Sequence, residues 1–252
     1  MYKGPNTHFR FYQNEEITVL QNQKVGSRFF DIYFDMVGRE DWVGLCICFN
    51  RFPGNPYVNI FTDVAFKRHQ PMHDLFENKD SRKVFLVYRN PIKRYQSAFA
   101  QFFTKWLIED NDTELLPVSI DTKKYLLEHK KTGTLYRDNE IPNEVLEDLI
   151  PEMEKFVSYW TLNKIGDQHT SNYLHILNEI TNKVDSDKLN LINIDEQRLE
   201  KVFNIDKLEL DFTSNSVFKD KFEMYIMENT ILQNLLSSEM FHFNNLEKIR
   251  NG

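Results

Sequence analysis

The chain alternates short apolar runs with segments whose apolar residues recur every three or four positions. Runs of the first kind are typical of strands and occur as ITVLQN (17–22), GLCICF (44–49), KVFLVYR (83–89) and KLNLINID (188–195). Helical spacing occurs in FFDIYFDMV, NPIKRYQSAFAQFFTKW, IPNEVLEDLIPEMEKFVSYW, SNYLHILNEI, EQRLEKVF and VFKDKFEMYIMENTILQNLL. Because strands alternate with helices, we predict an α/β fold whose mainly parallel sheet is covered by helices on both faces.

The clearest strand-to-helix junction is KVFLVYRNPIKRYQSAF, residues 83–99. Asn90 is suited to cap a helix, and Pro91 is suited to its first position. The apolar face predicted for this helix consists of Ile92, Tyr95, Phe99, Phe102 or Phe103, and Trp106. The predicted polar side carries Lys93, Arg94 and Ser97.

Four further segments complete the predicted organisation. RFPGNPYVNIF (51–61) is interpreted as a loop that leads to a short extended piece. The polar region 109–139 is interpreted as an insertion or lid with its own helix near 122–129. Pro151 is expected to break or kink its helix, and the C-terminal helix is either continuous or interrupted. The length of 252 residues favours one large domain.

Composition and charge narrow the classes of function. Hydrophobic residues make up 41% of the chain, which is enough for a sizeable core. The net charge of -7 argues against a general nucleic-acid-binding surface, although a small basic pocket for one anion remains possible. Cys46 and Cys48 are expected to be buried free thiols, because Cys-x-Cys lacks further metal ligands close by in sequence. No apolar run approaches the ~18 residues of a membrane span, so we expect a soluble cytoplasmic protein.

Two loops that follow predicted strands carry anion-binding residues. In the first, Gly26 permits close backbone approach, Ser27 can donate to a phosphate, and Lys24 adds a mobile cation. This loop is not a Walker motif, and a simple helix cap with an incidental lysine is the alternative. In the second, Arg89 and Ser97 can converge on one phosphate. The alternative is that Arg89 pairs with a nearby carboxylate and that Ser97 is a solvated helix residue.

Together, KVGSRFF and YRNPIKRYQSAF resemble the PAPS-dependent sulfotransferases. In that family a K-x-G-(S/T) turn holds the 5′-phosphosulfate, and R-(D/N)-P-x-x-R-x-x-S holds the 3′-phosphate. The second motif is matched in full from Arg89 to Ser97, whereas Arg28 stands where the family often has Thr or Ser. The resemblance implies a P-loop-like three-layer sandwich, the sulfotransferase fold.

The resemblance also implies roles for individual residues. The donor PAPS would be held by Lys24, Val25, Gly26, Ser27 and Arg28 at its 5′ end and by Arg89 and Ser97 at its 3′-phosphate. Lys24 would act at the bridging oxygen of the donor, the product would be adenosine 3′,5′-bisphosphate, and no metal would take part. The segments KIGDQHTSNYLHIL and LINIDEQRLEKVF look most like the carbohydrate branch of the family, so the expected acceptor is a glycan or small-molecule hydroxyl, with His169 as a contact.

The general base is expected to be a histidine because its pKa suits proton removal at neutral pH. In part of the carbohydrate branch a base histidine precedes the 3′-phosphate arginine by about twenty residues. His69 fits this interval best and His73 second, whereas surface or capping roles are their alternative. Asp63 is a possible carboxylate base.

Two other functions stay open. A small-molecule or nucleotide kinase can use a Gly-Ser loop for ATP, although a Walker motif and an obvious Mg²⁺ motif are absent from the sequence. A non-catalytic relative that binds a nucleotide or glycan requires only that the base be missing.

Overall fold

The computed structural model describes residues 7–13, 16–22, 25, 29, 43–52, 55–61, 68–71, 82–132, 141–163, 173–205 and 217–252. The strands are β1 Thr7–Gln13, β2 Ile17–Asn22, β3 Val43–Phe52, β4 Asn55–Phe61, β5 Arg68–Pro71, β6 Lys83–Tyr88 and β7 Leu189–Asn193. The α-helices are α1 Pro91–Lys105, α2 Ile120–Thr132, α3 Asn143–Asn163, α4 Leu174–Thr181, α5 Leu199–Val202, α6 Val217–Glu228 and α7 Thr230–Asn251. A π-helical turn at Trp106–Asp110 and a 3₁₀ turn at Thr113–Leu115 follow α1.

The strands form one sheet in the order β5-β4-β3-β1-β2-β6-β7. At one end of this sheet β2, β6 and β7 run parallel, with Leu20 opposite Leu86 and Leu86 opposite Leu191. The α/β class is therefore confirmed, and the three predicted strands of this parallel part are present.

The other pairings are antiparallel, so the expectation of a mainly parallel sheet is wrong for the sheet as a whole. The segment interpreted as a loop at 51–61 contains the junction of β3 and β4, with only Pro53 and Gly54 between the two strands. A two-residue connection imposes antiparallel pairing, because a parallel crossover needs a dozen or more residues. β1 and β5 were not predicted either.

The chain forms two compact units. The first comprises residues 1–94, 166–212 and 237–252, and it contains the whole sheet. The second comprises residues 95–165 and 213–236. The single domain expected from the length stays a prediction.

Alternating residues of the parallel strands enter two separate hydrophobic clusters of the first unit. One cluster contains Leu86 and Tyr88 of β6 with residues of α4 and α7, among them Leu177 and Leu246. The other contains Val87 of β6 with Val19, Phe29, Ile192 and Leu199. Since successive side chains of a strand point to opposite faces, these three strands are covered on both sides, as predicted.

An aromatic cluster forms the core of the second unit. It consists of Phe99, Phe103, Phe156, Trp160, Phe218 and Phe222. Phe99 and Phe222 stack with ring centroids 4.4 Å apart. The apolar face predicted for α1 is thereby confirmed, since Tyr95, Phe99 and Phe103 are all buried.

Two helix predictions in the second unit have definite outcomes. The helix expected near 122–129 is α2. Pro151 was predicted to break or kink its helix; the break is wrong, because α3 continues through this residue, and the kink stays a prediction. Burial of Leu149, Met153 and Phe156 on either side of the proline offsets the ~3 kcal/mol that an internal proline costs a helix.

Candidate anion-binding site

The two strands that precede the predicted phosphate loops are direct neighbours. β2 and β6 pair in parallel, so Asn22 and Tyr88, their last residues, lie at the same edge of the sheet. This is the edge at which open α/β sheets bind ligands. Lys24, Gly26, Ser27 and Arg28 lie outside the described residues, whereas Val25 is fully buried in the cluster that contains Leu86.

The start of α1 has the capping arrangement that the sequence predicts. The side-chain Oδ1 of Asn90 accepts a hydrogen bond from the backbone N–H of Ile92 at 2.9 Å. Pro91 occupies the first helical position, and the N–H of Arg94 donates to the carbonyl of Asn90 at 3.0 Å. The Arg-Asn-Pro sequence thus ends the strand and begins the helix within three residues, which fixes Arg89 at the sheet edge.

A carboxylate from the neighbouring strand lies at this junction. Asp195 follows β7, and its Oδ1 accepts from the Nε of Arg89 at 3.1 Å. Its Oδ2 accepts from the backbone N–H of Asn90 at 2.9 Å, and the Nζ of Lys93 lies 3.8 Å from Oδ1. The side chain of Asp195 is only 10% exposed. Pairing of Arg89 with a nearby carboxylate, the alternative left open by the sequence, is therefore present.

Asp195 is itself held in place by the chain around it. Its backbone N–H donates to the side-chain oxygen of Asn193 at 3.1 Å. The N–H of Ile194 donates to the carbonyl of Tyr88 at 3.0 Å, which continues the β6–β7 pairing to the edge of the sheet. Sequence reasoning missed this pair, because Arg89 and Asp195 lie 106 residues apart and a local pattern does not show that the strands before them are neighbours.

Arg94 is buried, which corrects the expectation that it lies on the polar side of α1. Its side chain is 0% exposed, and its Nη2 donates to both carboxylate oxygens of Glu239 at 2.8 and 2.6 Å. The guanidinium also lies 5.0 Å from the ring centroid of Tyr173. The helical pattern around Arg94 does not reveal its burial, because the compensating carboxylate lies 145 residues away in α7.

The same helix α7 contacts the ends of β6 and β7. The hydroxyl of Tyr88 donates to Oε1 of Glu247 at 2.5 Å, and the side-chain amide of Asn193 donates to the same oxygen at 3.2 Å. Burial, followed by the bond to Glu247, raises the pKa of Tyr88 well above its usual value. Burial likewise raises the pKa of Tyr173. Both hydroxyls therefore stay protonated well beyond the range of an ordinary tyrosine, and the proton of Tyr88 is donated to Glu247.

The remaining predicted site residues are not brought together with Arg89 by the described part of the chain. Ser97 is half-buried in α1 and belongs to the second unit, so its convergence with Arg89 on one phosphate stays a prediction. His69 lies in β5, opposite Asn59 of β4. Its strand is four positions from β2 in the sheet, about 19 Å at the usual spacing of ~4.8 Å. The base candidates His73 and Asp63 and the acceptor contact His169 lie outside the described residues.

Metal-binding and membrane-spanning features were sought in the same parts of the chain. Among the residues with described positions, no group of three or more His, Cys, Asp or Glu side chains is arranged to hold a metal. Within those residues, no helix combines the length and apolarity needed to cross a bilayer. Cys46 and Cys48 lie in β3 as predicted, and the burial expected of their thiols stays a prediction.

The local charge at the junction is positive. Arg89 and Lys93 contribute two positive charges, and Asp195 contributes one negative charge. The Nε of Arg89 and the N–H of Asn90 each hold one oxygen of the Asp195 carboxylate, and donors of these two kinds also bind phosphate or sulfate groups. No protein-family model, no curated protein and no solved structure matches the chain.

Proposed function

We propose that the protein is a PAPS-dependent sulfotransferase that moves a sulfuryl group to an acceptor hydroxyl, on a carbohydrate or a small molecule. The observation that carries this proposal is the parallel pairing of β2 with β6, because the two phosphate motifs follow these two strands. The K-x-G-S and R-N-P-x-x-R-x-x-S motifs would otherwise be unrelated loops 65 residues apart, from Lys24 to Arg89. The fold in this proposal is the sulfotransferase form of the α/β sandwich.

The residues at the edge of the sheet fit the 3′-phosphate of the donor. The Nε of Arg89 and the N–H of Asn90 already donate to a carboxylate, so they are oriented towards an anionic group. Arg89 would hold the 3′-phosphate with Ser97, and the loop of residues 24–28 would hold the 5′-phosphosulfate. Lys24 would neutralise the charge that develops on the leaving phosphate.

Sulfuryl transfer requires the donor sulfur and the acceptor oxygen to be held in line. The S–O bond to the acceptor forms while the S–O bond to the donor phosphate breaks, which releases adenosine 3′,5′-bisphosphate. The acceptor proton passes to a base, for which the sequence favours His69 first and His73 second. His69 can fill this role only if the reacting hydroxyl is held within hydrogen-bond reach of β5, about 19 Å from β2 at the usual strand spacing.

Calorimetric titration with adenosine 3′,5′-bisphosphate, and in parallel with Mg-ADP, tests the donor site. We expect micromolar binding of the bisphosphate, much weaker binding of Mg-ADP, and at least tenfold weaker bisphosphate binding in Arg89→Ala. Arg198→Ala is the matched control, because Arg198 belongs to the same unit, is largely exposed and pairs only at 3.7 Å with Glu200. A preference for Mg-ADP would instead favour a kinase.

Transfer from labelled PAPS to a panel of glycans tests whether the protein is a catalyst. In His69→Ala we expect lost turnover with unchanged bisphosphate binding. Bisphosphate binding without any turnover in the wild type would identify a non-catalytic relative. Retained turnover in His69→Ala would indicate that the base is His73 or Asp63.

A further inference from the structure

Asp195 occupies the position in which an anionic ligand would meet Arg89. Each of its two carboxylate oxygens accepts one hydrogen bond, from the Arg89 side chain and from the Asn90 backbone. Lys93 adds a second cation at 3.8 Å. A phosphate bound by the same groups would use the same two kinds of donor, a guanidinium and a backbone amide at a helix start.

The position of the Asp195 carboxylate is set by the backbone that carries it. The backbone around it is fixed by Asn193 and by the bond from Ile194 to Tyr88, and Tyr88 and Asn193 are both joined to Glu247 of α7. The carboxylate is therefore presented to Arg89 by the sheet itself. A ligand that reaches Arg89 meets a fixed negative charge a few ångströms away.

We infer that Asp195 is a specificity-determining residue of this site. It is the internal counter-ion of Arg89, and a bound phosphate must either share Arg89 with it or displace it. The identity of that phosphate as the 3′-phosphate of PAPS rests on the proposed function. Like charges at such distances repel, and a dianionic phosphate is repelled about twice as strongly as a monoanion. Asp195 thus lowers the affinity of the site for dianions, and it keeps Arg89 neutralised when no ligand is bound.

Asp195→Asn tests this inference, because it removes the charge while retaining the size and one acceptor oxygen. We expect roughly tenfold tighter binding of a dianionic phosphate, the effect of removing one repelling charge at about 5 Å in a solvated site. Glu196→Gln is the matched control. It removes the same charge from the next residue, where the carboxylate pairs with Arg250 rather than with Arg89.

Two probes are titrated into wild type, Asp195→Asn, Glu196→Gln and the double variant Asp195→Asn/Arg89→Ala. Inorganic pyrophosphate tests the inference without a nucleotide, and adenosine 3′,5′-bisphosphate tests the proposed function. We expect both probes to bind Asp195→Asn about tenfold more tightly than wild type, Glu196→Gln to bind within twofold of wild type, and the double variant to lose the gain.

Pyrophosphate affinity in Asp195→Asn that is equal to or weaker than in wild type, including no detectable binding to either, would overturn the inference and make Asp195 a structural partner of Arg89. Tighter pyrophosphate binding in Asp195→Asn, with the bisphosphate bound no more tightly than pyrophosphate by the same protein, would uphold the inference and reject the proposed function. If Asp195→Asn does not fold, as judged by circular dichroism, Asp195→Ser is used with the same criteria.

Discussion

Arg94 and Glu239 form an ion pair that is almost completely removed from solvent, with exposed fractions of 0% and 1%. Replacing Arg94 by Met leaves the Glu239 carboxylate buried without its cation. We expect the free energy of unfolding to fall by about 3–5 kcal/mol, as is usual when one member of a buried pair is removed. Urea-induced unfolding followed by circular dichroism measures this change.

Two further variants test whether the lost stability comes from leaving a buried charge without its partner. In Arg94→Met/Glu239→Leu both charges are gone, so most of the lost stability should return. Lys124→Met removes an exposed cation that pairs with Asp121 at 3.5 Å, and it should cost less than about 0.5 kcal/mol. An Arg94→Met variant as stable as Lys124→Met would show that the pair contributes little.

His242 gives the stability of the fold a defined pH dependence. Partial burial lowers its pKa below the ordinary value of 6.5, although the nearby Glu179 opposes this shift. The folded state therefore favours the neutral ring. As pH falls below 6.5, the unfolded chain takes up the proton first, so this contribution to stability is present above 6.5 and is lost as pH falls towards the folded pKa.

We therefore expect His242→Gln to lose less stability than wild type when the pH is lowered from about 7.5 to 5.5. Urea-induced unfolding at several pH values provides the comparison. Parallel pH profiles for the two proteins would contradict the assignment. Asn178 donates to the backbone carbonyl of residue 242 at 3.0 Å, a contact that the substitution retains.

At the level of single residues, the sequence predicted the local chemistry better than the distant partners. Asn90 and Pro91 behave as predicted because capping depends on neighbours in the chain. The partners of Arg89 and Arg94 lie 106 and 145 residues away, and a local pattern carries no information about them. Arg94 was assigned to the polar side of α1 for this reason.

Among the elements, the junction between α6 and α7 has a specific cause. The C-terminal helix, left open by the sequence as continuous or interrupted, is interrupted at Asn229. The side-chain oxygen of Asn229 accepts from the N–H groups of Ile231 and Leu232, both at 3.1 Å. These two bonds satisfy amide donors that the first turn of α7 would otherwise leave to solvent.

Asn229→Ala should lower the free energy of unfolding by about 1 kcal/mol, because it removes this cap. Asn229→Asp is the control, since it keeps the capping oxygen but loses the amide that donates to Thr161 at 3.4 Å. We expect the aspartate variant to lie close to wild type in urea-induced unfolding. If both variants lose the same stability, the contact with Thr161 matters and the cap does not.

The short helix α5 contains only four residues, although EQRLEKVF was predicted to be helical throughout. Asn204 has φ of 57°, in the left-handed region that asparagine tolerates better than most residues. The N–H of Ile205 then bonds back to the carbonyl of Glu200 at 2.7 Å, which closes the helix end. Apolar periodicity detects this helix and locates its end within one residue, but it places the start at Glu196, three residues too early.

Across the sheet, the prediction succeeded for the strands that contain an apolar run, including β3 of the β3–β4 hairpin, and failed for β1 and β5. β2, β6 and β7 were found because their apolar runs are flanked by helical patterns. β1 and β5 carry several polar residues in THFRFYQ and RHQP, so no apolar run marks them. Pairing with neighbouring strands, rather than intrinsic pattern, determines such elements.

On the scale of the whole molecule, ligand binding and folding stability are linked. A bisphosphate that binds only the folded protein should raise the free energy of unfolding by about 2.7 kcal/mol at a hundred times its Kd. At the same concentration Arg89→Ala should gain about 1.4 kcal/mol or less, because its affinity is at least tenfold lower. Urea-induced unfolding with and without the bisphosphate measures both, and an equal gain in the two proteins would place the binding elsewhere.

The pairing of β6 with β7 can form only at a late stage of the synthesis of the protein. Arg89 leaves the ribosome 106 residues before Asp195, which corresponds to about 5–20 s of elongation. During this interval the side of β6 that later pairs with β7 has no strand to bond with, and such an edge is open to association with other chains. The junction that joins Arg89 to Asp195 can therefore form only late in translation. Molecular chaperones that bind nascent chains would be expected to act on this protein before residue 195 emerges from the ribosome.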